Sequence, residues 1–472
     1  MAPKDIGSVL ENINAWVWGP WTFFLFIGTG IFLTVRLKLL PWKNLGFSLR
    51  QVCSDIIHPR KGDGKNISPF QSLMTAMAAM MGTGNIAGVA AAMVLGGPGA
   101  LIWMILSAFI AMALSLTENV LTMDCRKKNG RGLFFGGPMY VMEEHIRPRI
   151  LGKLLAVLFS LFMLGASLGM GNMTQANSIS EALRDTFQIP PALTGGILFF
   201  LCLLILTGGI SCIGKVCGFL VPIMSVAYFG AAILVILINI ENLPSGLMEM
   251  ISMAFSPSAV AGGLGGSILA GMGQAMRWGI ARGVFSNEAG LGSAPVASAA
   301  ADTDDVIRQS YIAMTGTFFD TIVVCSATGL AIASSGLLGA RDLQGQFLSG
   351  VALTNKVFES ALGPAGRFII SGGITMFAFA TIIGWEYYGE MALNYLSDRC
   401  RHLRTPLKIT FIYRIVYCAF AAVGAMASLQ AVWDFSDIMN AAMAIPNLIC
   451  VLLLNRRACE LLFKYEDIIK HN

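Results

Sequence analysis

Four consecutive residues, Gly82-Thr83-Gly84-Asn85, set two polar side chains between glycines in the middle of an apolar run from about Phe70 to Leu95. A run that long crosses a bilayer as one helix. Glycines at alternate positions permit backbone angles that a helix forbids, and they free carbonyls and amides where no lipid can satisfy them. The half-helix beginning near Asn85 points its N-terminal amides and positive dipole end at the bilayer centre, which suits an anionic group. The half ending near Met80 presents carbonyls that suit a small hard cation such as Na⁺. A zwitterion accompanied by a metal ion is the ligand such a break favours. About 200 residues later, Arg282-Gly283-Val284-Phe285-Ser286-Asn287-Glu288-Ala289-Gly290 interrupts an equally apolar setting. Paired interruptions in two halves of a chain point to a transporter's binding site.

Other polar residues belong to the same search. The run Gly169 to Gln175 ends the apolar stretch Leu151–Asn172, and Gln175 there is either a donor to a carboxylate or a surface residue at a helix end. Thr381 and Trp385 are four apart in Phe368–Tyr395 and share a helix face. Trp385 either caps an apolar pocket or belongs to an interfacial belt. Intramembrane ionisable groups are functional hypotheses by default. Glu288 lies close to Arg282, which favours a structural ion pair over a proton relay, and Asp320 either couples to a cation or pairs with Arg277. Glu118 and Glu390 fall towards cytoplasmic ends, as solvated or gate-forming groups. The histidines, His58, His145, His402 and His471, are all in predicted loops or the tail, so a histidine proton wire is unsupported.

The chain that must position these residues has 472 residues, 55% hydrophobic and 12% charged, with mean hydropathy +0.69. Soluble domains carry about a quarter charged residues, so this is a polytopic membrane protein. Apolar stretches imply about eleven transmembrane helices, beginning with Ala15–Val35, which is too long for a signal-peptide core. The net charge of +5 is dispersed in short clusters, which argues against nucleic acid. Arg36, Lys38, Lys43, Arg50, Arg60, Lys61 and Lys65 fill the first loop. Arg126, Lys127, Lys128, Arg131, Arg147, Arg149 and Lys153 fill the loop after the third helix, and Lys215, Arg399, Arg401, Arg404, Lys408, Arg456 and Arg457 continue the pattern. The bias puts these loops and the C-terminus in the cytoplasm and the N-terminus outside. Leu45–Ile57 and Pro138–Ile146 mix apolar and charged residues and read as short helices on the inner surface.

Setting the first helix aside leaves ten spans, of which the interrupted ones are the first and the sixth. An odd number of spans separates their starts, which gives the two sets of five opposite orientations, the condition for an inverted repeat. The organisation is residues 1–65 for the leading helix and cytoplasmic loop, 66–240 and 259–455 for the halves, 241–258 for an extracellular connection and 456–472 for a cytoplasmic tail.

Competing readings are weaker. Gly82-x-Gly84-x-x-Ala87 satisfies a dinucleotide fingerprint formally, but no strand precedes it. Gly84/Gly88 and Gly262/Gly266 have the spacing of helix-packing pairs, which leaves Thr83 and Asn85 unexplained. The 10 cysteines are scattered with no C-x-x-C, so neither zinc nor disulfides is favoured. No nucleophile–base pair, H-E-x-x-H or G-x-S-x-G motif appears in the spans, so an enzyme is not expected. An ion channel is a distant alternative.

Gly82-Thr83-Gly84-Asn85-Ile86-Ala87-Gly88-Val89-Ala90 and Phe285-Ser286-Asn287-Glu288-Ala289-Gly290-Leu291-Gly292-Ser293-Ala294-Pro295 resemble the two signature segments of the alanine/glycine:cation symporter family, also called sodium:alanine symporters. Gly384-Trp385-Glu386-Tyr387-Tyr388-Gly389-Glu390 is similar to a third. The resemblance covers essentially the whole chain. It implies an all-α membrane protein of the amino acid–polyamine–cation superfamily, with a LeuT-type 5+5 inverted repeat and one extra N-terminal helix. It also implies symport of alanine or glycine with Na⁺, or in some members H⁺, across the inner membrane of a prokaryote. By motif, Thr83, Gly84 and Asn85 would hold the substrate carboxylate with Gln175, while Met173 and Trp385 would shape a small pocket. The carbonyls of Ala78 and Met81 with the Thr381 hydroxyl would hold Na⁺, and Met80 and Asn85 would contribute to a second site. A larger substrate such as glutamine remains open, because pocket volume is not readable from sequence.

Overall fold

Where lipid offers no hydrogen-bond partners, a chain this apolar must satisfy its backbone internally, and helices are its route. The computed structural model describes residues 12–14, 16–58, 66–130, 132–255, 269–342, 345–399, 406–427 and 429–471. Gly262, Gly266, Arg60, Lys61, Lys65, Arg131, Arg401, His402 and Arg404, used in the sequence argument, lie outside the described residues. Helices α1 (Pro20–Arg36), α2 (Leu40–Lys43) and α3 (Leu45–Ile57) lead to a first broken segment: α4 (Pro69–Met80), a 3₁₀ turn (Thr83–Asn85) and α5 (Ala87–Gly96). A long α6 (Ala100–Asp124), a two-stranded hairpin (Lys127–Lys128 with Phe134–Phe135) and a short α7 (Pro138–His145) follow. Then come α8 (Arg149–Leu168), continued through a π-helical segment (Gly169–Met173) into α9 (Thr174–Phe187), and α10 (Pro191–Leu206) and α11 (Gly209–Ile238).

After α12 (Leu243–Phe255), the order of elements recurs. A second broken segment, α13 (Leu269–Asn287) and α14 (Ala294–Ala299), precedes α15 (Val306–Thr317), which passes through a π-helical segment (Phe318–Cys325) into α16 (Ser326–Ser335). A short α17 (Gly350–Leu362) and three long helices, α18 (Pro364–Ser397), α19 (Pro406–Met426) and α20 (Leu429–His471), complete the chain. Among the described residues, 7 helices are long and apolar enough to cross a membrane; Trp21–Arg36, Ala87–Gly96 and Pro191–Leu206 are shorter apolar ones.

The short helices expected at Leu45–Ile57 and Pro138–Ile146 form, as α3 and α7. Helix α3 is tied into the bundle, because its buried Asp55 pairs with Arg308 of α15 at 2.6 Å. Helix α4 opens on a capping box in which Ser68 Oγ accepts from the Gln71 amide and Gln71 Oε1 from the Ser68 amide, which settles two of the helix's unpaired donors. The chain entering the first broken segment then meets the chain leaving the second: Ile67 and Ala301 form a parallel bridge, with the Asp302 amide donating to the Ile67 carbonyl at 2.8 Å. Arg126 Nη1 clasps the Ala301 carbonyl at 2.7 Å.

Candidate functional site

At the first break, α4 ends at Met80 and its last carbonyls are only partly reused. The Met81 amide still reaches Met77 at 2.7 Å, and the Gly82 amide turns back to the Met80 carbonyl at 2.9 Å. Gly82 is needed because of what touches it: a Cβ there would lie 2.7 Å from Thr381 Oγ1 and 2.9 Å from Gln175 Oε1. Gln175 Oε1 accepts from the freed Thr83 amide at 3.1 Å, while Gln175 Nε2 donates to the Met170 carbonyl at 3.0 Å. Thr381 Oγ1 donates to the Ala78 carbonyl at 2.8 Å, close to the end of α4. Two polar atoms at this break, Thr83 Oγ1 and Asn85 Oδ1, are buried and have no partner. A buried polar atom left so costs about 1–3 kcal/mol, which a ligand or water can offset.

At the second break Asn287, Glu288 and Ser293, with side chains from neighbouring helices, take up most of the freed polar groups. Glu288 adopts φ 55°, a left-handed conformation that a side chain rarely takes, and Gly290 and Gly292 follow with φ 91° and 76°. The turn directs the Glu288 carboxylate inward, where it accepts from Trp385 Nε1 at 2.7 Å and Ser293 Oγ at 2.6 Å. Asn287 Oδ1 accepts from the Ala289 amide, Asn287 Nδ2 donates to Thr321 Oγ1, and Asn447 Nδ2 donates to the Gly290 carbonyl.

The two breaks touch. A Cβ on Gly84 would lie 3.3 Å from Phe285 Cδ1 and 3.4 Å from Ser286 Cα, so the absence of a side chain sets the approach of the two segments. Asp320, carried by the π-helical segment, joins them: its carboxylate accepts from Asn85 Nδ2 at 2.7 Å on one side and from Ser286 Oγ at 2.8 Å on the other, with Thr321 Oγ1 at 2.7 Å. These donors are all neutral, so a carboxylate in mid-membrane is held by dipoles alone, the arrangement that attracts a cation. On the α20 side the Phe285 ring stacks on Trp433 with centroids 5.1 Å apart. Arg282 lies 4.7 Å over the Trp433 ring and pairs with Asp437 at 3.4 Å. Beyond them is a cavity of 190 Å³ lined by Asn14, Trp18, Arg277, Arg282, Asp434 and Asp437 among others.

Of the residues named from sequence, Ala78, Met80, Met81, Thr83, Gly84, Asn85, Gln175, Thr381 and Trp385 are buried around the breaks. Met81 Sδ faces Ser225, and Met80 Sδ faces Gly316. Met173 stands apart from them, its Cα and Cβ packed against Gly424 of α19. Trp385 is fully buried, with its ring against Gly171, which settles the belt alternative.

Four sequence readings need correction. Glu288 does not pair with Arg282, because the left-handed turn swings it to Trp385 and Ser293 while Arg282 goes to Asp437. Asp320 does not pair with Arg277, whose guanidinium lies over Trp278; its partners come from the two breaks. Gly169 to Gln175 is not a helix end, since a π-helical turn carries the helix on to Phe187. Glu118 is not solvated: it is buried and accepts from Asn447 Nδ2 at 2.7 Å. The residues that the sequence missed are Ser286 and Ser293 as braces, and no local spacing announces them.

A chain with two abutting helix breaks matches, over residues 4–472, the model of the sodium:alanine symporter family. The chain belongs to that family. It is 44% identical over 451 residues to the sodium/alanine symporter AgcS of Methanococcus maripaludis, covering 96% of this chain and 95% of the relative. The probable sodium/glutamine symporter GlnT of Bacillus subtilis is 36% identical over 454 residues, with 95% and 89% covered. Among solved structures, MhsT in complex with L-phenylalanine superposes with a TM-score of 0.57 at 13% identity, covering 84% of this chain and 90% of MhsT. The protein is thus a multi-pass secondary transporter of this symporter family, with the LeuT-type fold expected from the resemblance.

Proposed function

We propose that this chain carries alanine or glycine into the cell together with Na⁺, using the first break as the binding site. The observation that carries the reading is the pair of orphaned oxygens, Thr83 Oγ1 and Asn85 Oδ1, buried beside a freed amide that Gln175 already holds. The amides at the start of α5 and the Thr83 hydroxyl suit the substrate carboxylate, and Trp385 and Phe285 close the space around a small side chain. For the cation, the Ala78 and Met81 carbonyls and the Thr381 hydroxyl offer the oxygen donors a hard ion requires. The direct bond from Thr381 to Ala78 is then exchanged for ligation. Asn85 Oδ1, next to the Asp320 carboxylate, is the stronger half of a second cation position, because the Met80 carbonyl is engaged by Gly82. Coupling follows from differential binding: Na⁺ orders the backbone that the substrate grips, so each lowers the ordering cost of the other.

In this reading the two broken segments count as spans, giving eleven, with residues 66–240 and 259–455 as halves of opposite orientation. The N-terminus is outside and the C-terminus in the cytoplasm of a prokaryotic inner membrane, and no covalent step is needed. In proteoliposomes, labelled alanine is expected to accumulate only under an inward Na⁺ gradient and to be competed by glycine but not by glutamine. Uptake indifferent to Na⁺ replacement, or ion flux without alanine counterflow, would overturn the reading. A second reading, import of glutamine, is supported by the similarity to GlnT; equal competition by glutamine would favour it.

A further inference from the structure

The fold gathers a second set of ligand-forming side chains at the end of α6 that faces the cytoplasm in the proposed orientation. Asp124 closes α6, Cys125 follows it, and His145 closes α7, 20 residues away in sequence. One ligand atom from each lies within 4.8 Å of the others, and His145 Nε2 is already 3.0 Å from Cys125 Sγ. In a tetrahedral zinc site with the usual bond lengths, ligand atoms lie about 3.5 Å apart, so side-chain rotation suffices to close the set. One sulfur, one imidazole and one carboxylate form a three-ligand set that leaves a fourth position for water, and its softness selects zinc over Na⁺ or Mg²⁺. We propose that Asp124, Cys125 and His145 form a Zn²⁺ site that clamps the inner ends of α6 and α7 together and slows transport.

The chemistry is compatible with this. Burial, with the Arg457 cation nearby, lowers the His145 pKa, which leaves the imidazole neutral and able to ligate at pH 7. Burial, with Asp124 beside it, pushes the Cys125 thiol up to about 12, so coordination displaces a proton from that sulfur. Arg457 is the resident competitor: its Nε and Nη2 both donate to Asp124 Oδ2, at 2.8 and 2.5 Å, which leaves Oδ1 for the metal. Its side chain is 43% exposed and can swing away.

The location gives the clamp its effect. Helix α6 packs along α13 of the second break and along α15, whereas α7 packs on α8. A bond between Cys125 and His145 therefore ties helices that hold the break to a neighbouring group, and alternating access needs such groups to move against each other. This last step rests on the proposed transport function; the metal site does not.

The test uses the full chain purified in detergent and stripped with chelator, then titrated with Zn²⁺ against a chromophoric chelator. The natural chain is expected to hold one more Zn²⁺ than Cys125→Ser or His145→Gln, with affinity lowered at least about tenfold by either change. His145→Gln keeps every cysteine, so equal Zn²⁺ retention by that variant overturns the site. In proteoliposomes, Zn²⁺ on the cytoplasmic face should slow alanine uptake by the natural chain and spare both variants. Equal slowing in all three overturns the clamp, while absent uptake in chelator-treated liposomes counts against the transport reading instead.

Discussion

The two helix breaks share a topology and differ in how their polar groups are settled. At the second, Glu288, Asn287, Ser286 and Ser293 all find partners, and the strained Glu288 backbone is offset by two short bonds to its carboxylate. At the first, Gln175 takes one amide, and Thr83 Oγ1 and Asn85 Oδ1 are left over. Where the groups are already paired a ligand adds little, and where they are not it adds most, which is the ground for placing the substrate at the first break. Asp320 stands between, bonded to one residue from each.

The contrast can be broken by substitution. Gly84→Leu drives a side chain between the two breaks and is expected to lower uptake more than about 100-fold, the scale of a 1 Å misplacement, while leaving membrane insertion intact; unaltered uptake would remove the first break from the mechanism. Glu288→Ala strips the second break of a buried acceptor for two donors, a loss of about 3 kcal/mol. It should appear as a lower thermal midpoint in detergent. A variant with unchanged midpoint and altered Na⁺ dependence would reverse the roles assigned to the two breaks. Asp320→Asn keeps the shape but weakens the charge-assisted bonds from Asn85 and Ser286. The concentration of alanine needed for half-maximal uptake should rise about tenfold. Thr381→Ala removes one proposed cation ligand and should raise the Na⁺ concentration for half-maximal uptake about fivefold, with less change in alanine affinity at saturating Na⁺. An identical Na⁺ response would clear Thr381.

The first break was legible because glycine and polar residues interrupt an apolar run over seven positions, a local signal. The short helices α3 and α7 were legible for the same reason, through their mixed composition. Asp320 was visible as an intramembrane acid, but its partners lie 235 residues before it and 34 residues before it in the chain, and nothing local encodes such pairings. Gly169 to Gln175 misled because Gly-Met-Gly followed by polar residues has the pattern of a helix leaving the membrane. In the fold those polar residues turn inward, and the extra π turn brings Gly171 under Trp385. Arg282 and Glu288 are near in sequence, but the left-handed backbone of Glu288 itself sends the two charges in different directions.

The small bridge between Ile67 and Ala301 has an outcome for the economy of the cycle. Because the chain entering the first broken segment and the chain leaving the second are laced together there, the two are expected to move as one. In the cycle proposed above, a gate built on this pair would open as one unit, and a leak of sodium without its passenger would require the bridge to part.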